Sequence, residues 1–434
     1  MHYGIVGAGM LGLALALRLA NAGHKVTVVE AAPEAGGLAS PFRLGDIHWD
    51  RYYHVIAGAD RALRGLLAEL GLEDSIAWKT TRTNFYDGNS LRPLDNALDY
   101  WRLPGLRLTD KLRLAATILY AARITNGLPL EHQGAREWLT RLSGRRTWDA
   151  LWHPLLRAKL GENVEHASAA YIWSVIRRFY GAREGRLKTE RFGYVPGGYR
   201  RIVGALAARL DELDVDLICD QPVVAVTRDA RGLSISAAAQ TIGCDRLIMT
   251  CAAPLAAALC PALTAGEAAA LRGLRYQGII CASLLLKRPL GGAYLTYITD
   301  ARIAFTAVIE MSTLVERSDL GGHHLIYLPR YLPADDPLFM RTDDELAAEF
   351  RTGLTRMFPD LTESDVLALR ISRARHVMAV PTRNYSAVLP PMETSVPGLY
   401  IVNSAQIVNA ALSVNDTVRL ANNAAARLTR SEAA

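Results

Sequence analysis

The sequence predicts an α/β fold. A Rossmann-like nucleotide-binding domain is assembled from separated stretches of chain and joined to a domain of mixed sheet with a helical insertion. Three observations carry this expectation. Residues 3–30 read as strand, helix and strand around a glycine-rich turn. A turn, helix and strand recur at 192–226, and a turn, strand and helix at 397–427. Between them the spacing of apolar residues is mostly helical over 61–190 and mixes strand and helix over 270–390.

The first unit runs from Tyr3 to Glu30. A short apolar strand ends in Gly7-Ala8-Gly9-Met10-Leu11-Gly12, an Ala/Leu-rich helix follows to Ala22, and Lys25–Val29 forms a second strand closing on Glu30. A GxGxxG in this context is a dinucleotide fingerprint. Gly7 permits the tight turn, Gly9 lets the backbone approach a pyrophosphate, and Gly12 lets helix and strand pack closely. The helix N-terminus offers free N–H groups and the positive end of its dipole to phosphate. Glu30 can accept both ribose hydroxyls and would repel a 2′-phosphate, which argues against NADP.

After Glu30 and Ala31 come Gly36-Gly37-Leu38-Ala39, and then His48-Trp49-Asp50-Arg51-Tyr52-Tyr53-His54-Val55-Ile56. The Glu-x5-Gly-Gly spacing resembles the second phosphate-binding segment of the flavin amine oxidase, phytoene desaturase and protoporphyrinogen oxidase superfamily. Leu38 and the D-x-[FY]-Y-H-x-I phrase resemble its protoporphyrinogen-oxidase-like bacterial branch. The resemblance implies FAD as cofactor, with the paired glycines running beside its pyrophosphate and ring.

The same resemblance extends downstream. Pro196-Gly197-Gly198 leads into a helix over Tyr199–Leu210 and strands near Asp216–Cys219 and Pro222–Val226, where Val223 is implied to pair its backbone with the adenine. Cys244–Thr250 reads as one further buried strand. Near the C-terminus, Asn403-Ser404 stands where most members have Gly-Asp, so Ser404 is left as the acceptor for the ribityl chain. Val414 and Asn415 then open a terminal helix whose N-terminus is implied to face the flavin, stabilising negative charge on the ring. The implied layout is 1–60, 192–265 and 391–434 for the FAD domain. Residues 61–191, a helical insertion, and 266–390, a mixed-sheet segment, form the substrate domain.

Composition narrows the class further. Of 434 residues 50% are hydrophobic and 21% charged, too apolar for a disordered chain. Five cysteines without a CxxC pair fit a reducing, cytoplasmic setting and supply no zinc spacing, so no metal is expected. No leader and no run of about 20 apolar residues is visible. The net charge is +6, and residues 99–200 alone carry +9. Within that stretch, Leu108–Ile124 has Thr109 as N-cap and few polar residues after Arg113, behind the basic, aromatic approach Trp101–Arg107. Two readings stay open: a core helix bundle with a solvated basic face, or peripheral contact with the inner face of a membrane. Trp148, Leu151, Trp152 and Leu155 fall on neighbouring helical faces, as core residues do. Nucleic acid is not an expected partner, since no aromatic-interleaved basic run or reader motif is present.

For chemistry, His54 is the candidate catalytic residue, its titration range suiting proton transfer or an anionic substrate group. A structural histidine bonded to a backbone carbonyl is the plainer reading. Glu310 is expected at a solvated strand end, with a cavity-facing role as the alternative. Lys159 is expected in an ion pair, with a place near the flavin as its alternative. The family resemblance implies two-electron oxidation, by desaturation or C–N oxidation, of a hydrophobic or amphiphilic small molecule. Two rivals are flavin chemistry without net redox, as in the related UDP-galactopyranose mutase, and a flavin-free binding protein resembling Rab GDP-dissociation inhibitors.

Overall fold

In the computed structural model residues 1–95, 97–102, 105–181, 183–184, 189–230, 232–408, 410 and 412–430 are described. Leu103 and Pro104 of the basic approach, and the tail 431–434, lie outside them. His2–Val6 is the centre of a five-stranded parallel sheet ordered Asp216–Ile218, Lys25–Val29, His2–Val6, Arg246–Met249, Leu399–Ile401. Register sets Ile5 beside Val28 on one side and Ile248 on the other. Parallel strands covered on both faces need no polar alternation, which is why these segments read as near-continuous apolar runs. The helices Met10–Asn21, Gly198–Asp211 and Val414–Arg430 cover one face with a leucine- and alanine-rich core. The other face packs on an antiparallel ribbon of Val223–Asp229, Gly232–Ala237 and Thr241–Cys244.

That ribbon corrects the reading of Cys244–Thr250 as one strand. The chain breaks at Asp245, whose N–H donates to the His2 carbonyl while its carboxylate accepts the His2 N–H. One residue therefore carries the chain from the antiparallel ribbon into the parallel sheet. Apolar patterning cannot show such a switch, because both strands are buried.

A second, seven-stranded sheet runs Val366–Ala379, Tyr276–Leu286, His324–Pro333, Ala307–Glu310, Leu295–Ile298, Thr83–Tyr86, Leu91–Pro93. Tyr276–Leu286 is buried along its whole length between two antiparallel neighbours. In Val366–Ala379 interspersed arginines blur the alternation, and its pairing with Tyr276–Leu286 makes it a strand. Residues 303–306 bend between Leu295–Ile298 and Ala307–Glu310. Asp343–Met357 is a helix, its Thr342 and Glu345 forming a reciprocal cap. Thr83–Tyr86 pairs in parallel with Leu295–Ile298, so the stretch 61–190 is not uniformly helical. A four-residue strand is too short for its period to register and is stabilised by its partner.

The helices Leu108–Arg123, Ala135–Ser143, His153–Leu160 and Ala169–Gly181 pack around Trp138, Trp148, Trp152 and Trp173. Trp152 Nε1 donates to Ser143 Oγ (2.9 Å) and Trp173 Nε1 to the Ala121 carbonyl (3.0 Å), so these indoles bury no unmet donor. The first of these helices is capped at Arg107 rather than Thr109, with Asp110 accepting the Arg107 N–H. Among the described residues no helix is long and apolar enough to cross a membrane.

Candidate active site

A cavity of about 610 Å³ lies where the parallel sheet meets the seven-stranded one. Its floor is built from the first glycine turn. Gly7 holds φ +106°, and a Cβ on Gly12 would stand 1.9 Å from the Gly7 carbonyl oxygen, so only glycine lets the helix start this close to the strand. Just past the end of the neighbouring strand, Thr250 Oγ1 donates to the carbonyls of Val6 and Gly7. The second turn lies against the first. Gly36 N–H donates to the Ala8 carbonyl (2.8 Å), and a Cβ on Gly37 would come within 3.0 Å of Gly9 Cα. Gly9 itself has room, its nearest neighbour being Gly37 Cα at 3.9 Å. The two turns thus present bare backbone to the cavity beside the unpaired first N–H groups of Met10–Asn21.

Glu30 sits at the same end. Its carboxylate accepts N–H groups from Ala8 (2.7 Å) and Ala32 (2.9 Å), which fix its orientation while each oxygen keeps a lone pair. Glu30, Ala31 and Val223 line the cavity together with Gly7, Gly9, Met10, Leu11, Gly36, Gly37, Leu38 and Ala39. At the far side Ser404 and Val414 line it too, joined by Ser413 and Thr417, so the start of Val414–Arg430 faces the cavity. Ser413 Oγ accepts the Asp416 N–H and donates to the Asp416 carboxylate, which caps that helix.

Three expected cofactor residues do not line the cavity. Ala8 is fully buried and spends its N–H on Glu30. Gly12 serves the helix–strand packing described above. Asn415 turns away: its Oδ1 accepts the N–H groups of Ala62 (2.9 Å) and Leu63 (3.2 Å), capping the helix Arg61–Glu69. Successive helical side chains point about 100° apart, and here Val414 faces the cleft while Asn415 faces the start of Arg61–Glu69.

His54 lines the cavity with Nδ1 on the Tyr52 carbonyl (3.0 Å) and its ring against Tyr199. Burial pulls its pKa down to about 4, so the imidazole is neutral at physiological pH. The expected titration near neutrality is corrected: His54 has no positive charge for an anionic group. Lys159 also lines the cavity, and its expected ion pair is absent among the described residues. Its Nζ instead donates to Tyr331 Oη (2.6 Å), which in turn lies 2.5 Å from Tyr53 Oη. Glu310 is neither solvated nor cavity-facing. It is buried and accepts N–H groups from Leu290, Gly291 and Gly292, clamping a turn.

Sequence reasoning missed Tyr331, Gln277 and His376, which line the cavity from strands, and Thr250, which lines it just past the end of Arg246–Met249. Gln277 and Tyr331 sit on adjacent strands, two pairing positions apart, so they share one sheet face. No local motif marks them. The tyrosine pair in Tyr52-Tyr53-His54 was the one visible hint. Further apolar lining comes from Ile279, Val377, Met378 and Leu412.

Two glycine turns flooring a cleft, which opens on an apolar chamber under a second sheet, define an α/β protein of the flavin-enzyme fold. The chain belongs to the flavin-containing amine oxidoreductase family, whose profile matches residues 11–429. Over 194 residues it is 24% identical to mitochondrial protoporphyrinogen oxidase of Nicotiana tabacum, a match covering 43% of this chain and 38% of that protein. The matched stretch is thus well under two thirds of that relative's length. A solved structure from Exiguobacterium sp. 255-15, assigned as a protoporphyrinogen oxidase, has a TM-score of 0.76 at 18% identity, covering 98% of both chains. Reduced UDP-galactopyranose mutase also gives 0.76, at 16% identity over 99% of this chain and 95% of that one. At these identities the structural likeness shows the fold.

Proposed function

We propose that the protein binds FAD and performs a two-electron oxidation, C–C desaturation or C–N oxidation, of a hydrophobic or amphiphilic small molecule. The observation that carries this reading is the pair of glycine turns, Gly7–Gly12 and Gly36–Gly37, whose bare backbones meet at one end of an apolar chamber. The residues fit the cofactor on that ground: a side chain at Gly9 or Gly37 would occupy the groove, and Glu30 is already oriented for two hydroxyl partners. Bound there, the flavin would supply the hydride acceptor at N5. The first turn of Met10–Asn21 would hold the diphosphate, Glu30 the ribose, Val223 the adenine edge and Ser404 the ribityl chain. The start of Val414–Arg430 directs its positive dipole end to the ring side of the cavity. Ile279, Met378 and Leu412 exclude water from the reacting end. His54 Nε2, neutral and unprotonated, is a proton acceptor rather than a charge.

The test is direct. Purified protein should be yellow, or become so on incubation with FAD, and release FAD on denaturation. Protein that stays colourless after reconstitution overturns the reading in favour of the flavin-free alternative. Against the mutase alternative, no arginine lines the cavity among the described residues, leaving a sugar diphosphate without a fork of donors. Turnover in the reduced state without an electron acceptor would reverse that preference.

A second reading concerns the helix Leu108–Arg123. Its outer face exposes Leu108, Leu112, Leu119 and Tyr120, with Trp101 and Leu128 exposed nearby. Six of the twelve large exposed apolar side chains among the described residues lie in this one short stretch. Arg102, Arg107, Lys111, Arg113 and Arg123 surround it; among the described residues none of them has an ion-pair partner, and Arg113 and Arg123 donate to backbone carbonyls. Apolar side chains rimmed by cations suit the surface of an anionic bilayer, and we infer peripheral contact there.

A further inference from the structure

The substrate end of the cavity gathers a linked set of hydrogen-bond donors. Lys159 Nζ donates to Tyr331 Oη at 2.6 Å, and Tyr331 Oη and Tyr53 Oη are 2.5 Å apart. An ammonium offers three donors and no acceptor. The two hydroxyls have two hydrogens, and the bond between them uses one. Whichever tyrosine donates to the other, one O–H remains for a third group, and no described residue takes it. Lys159 adds charge at the end of this chain, lying 3.8 Å from the centre of the Tyr331 ring as well as on its hydroxyl.

A second observation comes from the neighbouring strand. Gln277 is fully buried and lines the same cavity, on the sheet face it shares with Tyr331. Its Oε1 accepts from Asn163 Nδ2 at 2.7 Å, which fixes the amide and leaves Nε2 without a partner. A buried donor left unpaired costs free energy unless a ligand meets it. Across the whole cavity Glu30 is the one carboxylate among the described lining residues, and it is held at the nucleotide end by Ala8 and Ala32. His54 and His376 both line the cavity and are shifted toward their neutral forms by burial. Lys159 is the one lysine or arginine among the described lining residues.

We propose that Lys159, Tyr331, Tyr53 and Gln277 form an oxyanion anchor, so that the substrate is an otherwise apolar molecule carrying a carboxylate. This rests on the reading of the cavity as the substrate site beside a flavin, and it narrows that reading. A cationic amine without a carboxylate would meet Lys159 with no counter-charge, in surroundings where charges interact several-fold more strongly than in water. A neutral hydrocarbon would leave the spare O–H and the Gln277 amide unpaired. A carboxylate, with two oxygens and about four lone pairs, can take up both.

The test uses calorimetric titration of the flavin-loaded full chain with three probes of equal chain length: octanoate, octylammonium and 1-octanol. Octanoate should bind at least about tenfold more tightly than either of the others. Lys159→Met should erase that preference while leaving 1-octanol unchanged, and Tyr53→Phe and Gln277→Leu should each weaken octanoate several-fold. Octylammonium binding as tightly as octanoate, or a preference that survives Lys159→Met, would overturn the anchor. The comparison of probes on unmodified protein stands even if a variant fails to fold. Flavin content is read separately from visible absorbance, and calorimetry needs no flavin signal. A colourless protein that still prefers octanoate therefore refutes the cofactor reading and leaves the anchor standing.

Discussion

Gly12 lies so close to Gly7 that a Cβ on the first would stand 1.9 Å from the carbonyl oxygen of the second, whereas a Cβ on Gly9 meets nothing nearer than 3.9 Å. The two glycines of one motif thus have separable roles, one in packing and one in leaving the cavity floor bare. Gly12→Ala should lower unfolding stability by about 3 kcal/mol, the upper end of overpacking costs. Gly9→Val should keep a near-native denaturation midpoint and lose flavin, since its branches project into the groove. Chemical denaturation beside the flavin-to-protein absorbance ratio reads both, and the proposal for Gly9 fails if the Val variant retains full flavin.

Glu30→Ala removes the acceptor of the Ala8 and Ala32 N–H groups as well as the expected ribose partner. Flavin affinity should drop by about tenfold or more, with a stability cost of about 1–3 kcal/mol from the orphaned amides. Glu30→Gln keeps one acceptor oxygen and should fall between. Normal affinity in a fluorescence titration of the Ala variant would place the ribose elsewhere.

Two buried groups oppose each other in pH. Burial pulls His54 down to about 4 and pushes Asp50 up to about 7, although Asp50 accepts backbone N–H groups from Tyr199 and Arg200. Between pH 4 and 6.5 the folded chain holds fewer protons than the unfolded chain at His54, so that group's contribution is lost as pH falls. At Asp50 the folded chain holds more, so that contribution is lost as pH rises from 3.8 toward 7. The slopes nearly cancel. Asp50→Asn should unmask the His54 term, with stability rising by about 3 kcal/mol from pH 4 to 6.5. His54→Gln should show the opposite slope. Flat curves for both variants would refute the burial argument.

Asn415→Ala should cost about 0.5–2 kcal/mol, the range for a lost N-cap, because Ala62 and Leu63 lose their acceptor. Its flavin content should be unchanged. A flavin-poor but stable variant would return Asn415 to the cofactor site.

The exposed face of Leu108–Arg123 is tested by co-sedimentation with vesicles. Binding to vesicles rich in phosphatidylglycerol should exceed binding to pure phosphatidylcholine and weaken with salt. Leu112→Glu with Leu119→Glu should abolish it, at positions exposed enough to leave the fold intact. A dimer in sedimentation velocity that this double variant splits, with no vesicle binding by the parent, would assign the face to a second copy.

Much of the nucleotide half was legible in the chain. Gly7, Gly9, Gly12, Glu30, Gly36 and Gly37 are close in sequence, and each role is local: a turn, a helix start, a strand end. The core assignment of Trp148 and Trp152 was legible for the same reason, as helical spacing places them. What escaped was long-range. Thr83–Tyr86 and Val366–Ala379 are strands because of the partners they meet, and Glu310 is a clamp because a distant turn folds over it.

By itself the sequence determined the parallel α/β sheet, the two glycine turns and the basic character of residues 99–200, since these follow from local periodicity, backbone freedom and composition. Only the tertiary structure decided that His54 is neutral, that Asn415 caps a helix, and that Lys159, Tyr331, Tyr53 and Gln277 converge. Desolvation depends on what surrounds a group in space. The convergence depends on the packing of a helix against a sheet, with Lys159 and Tyr331 separated by 172 positions along the chain and 2.6 Å in the fold.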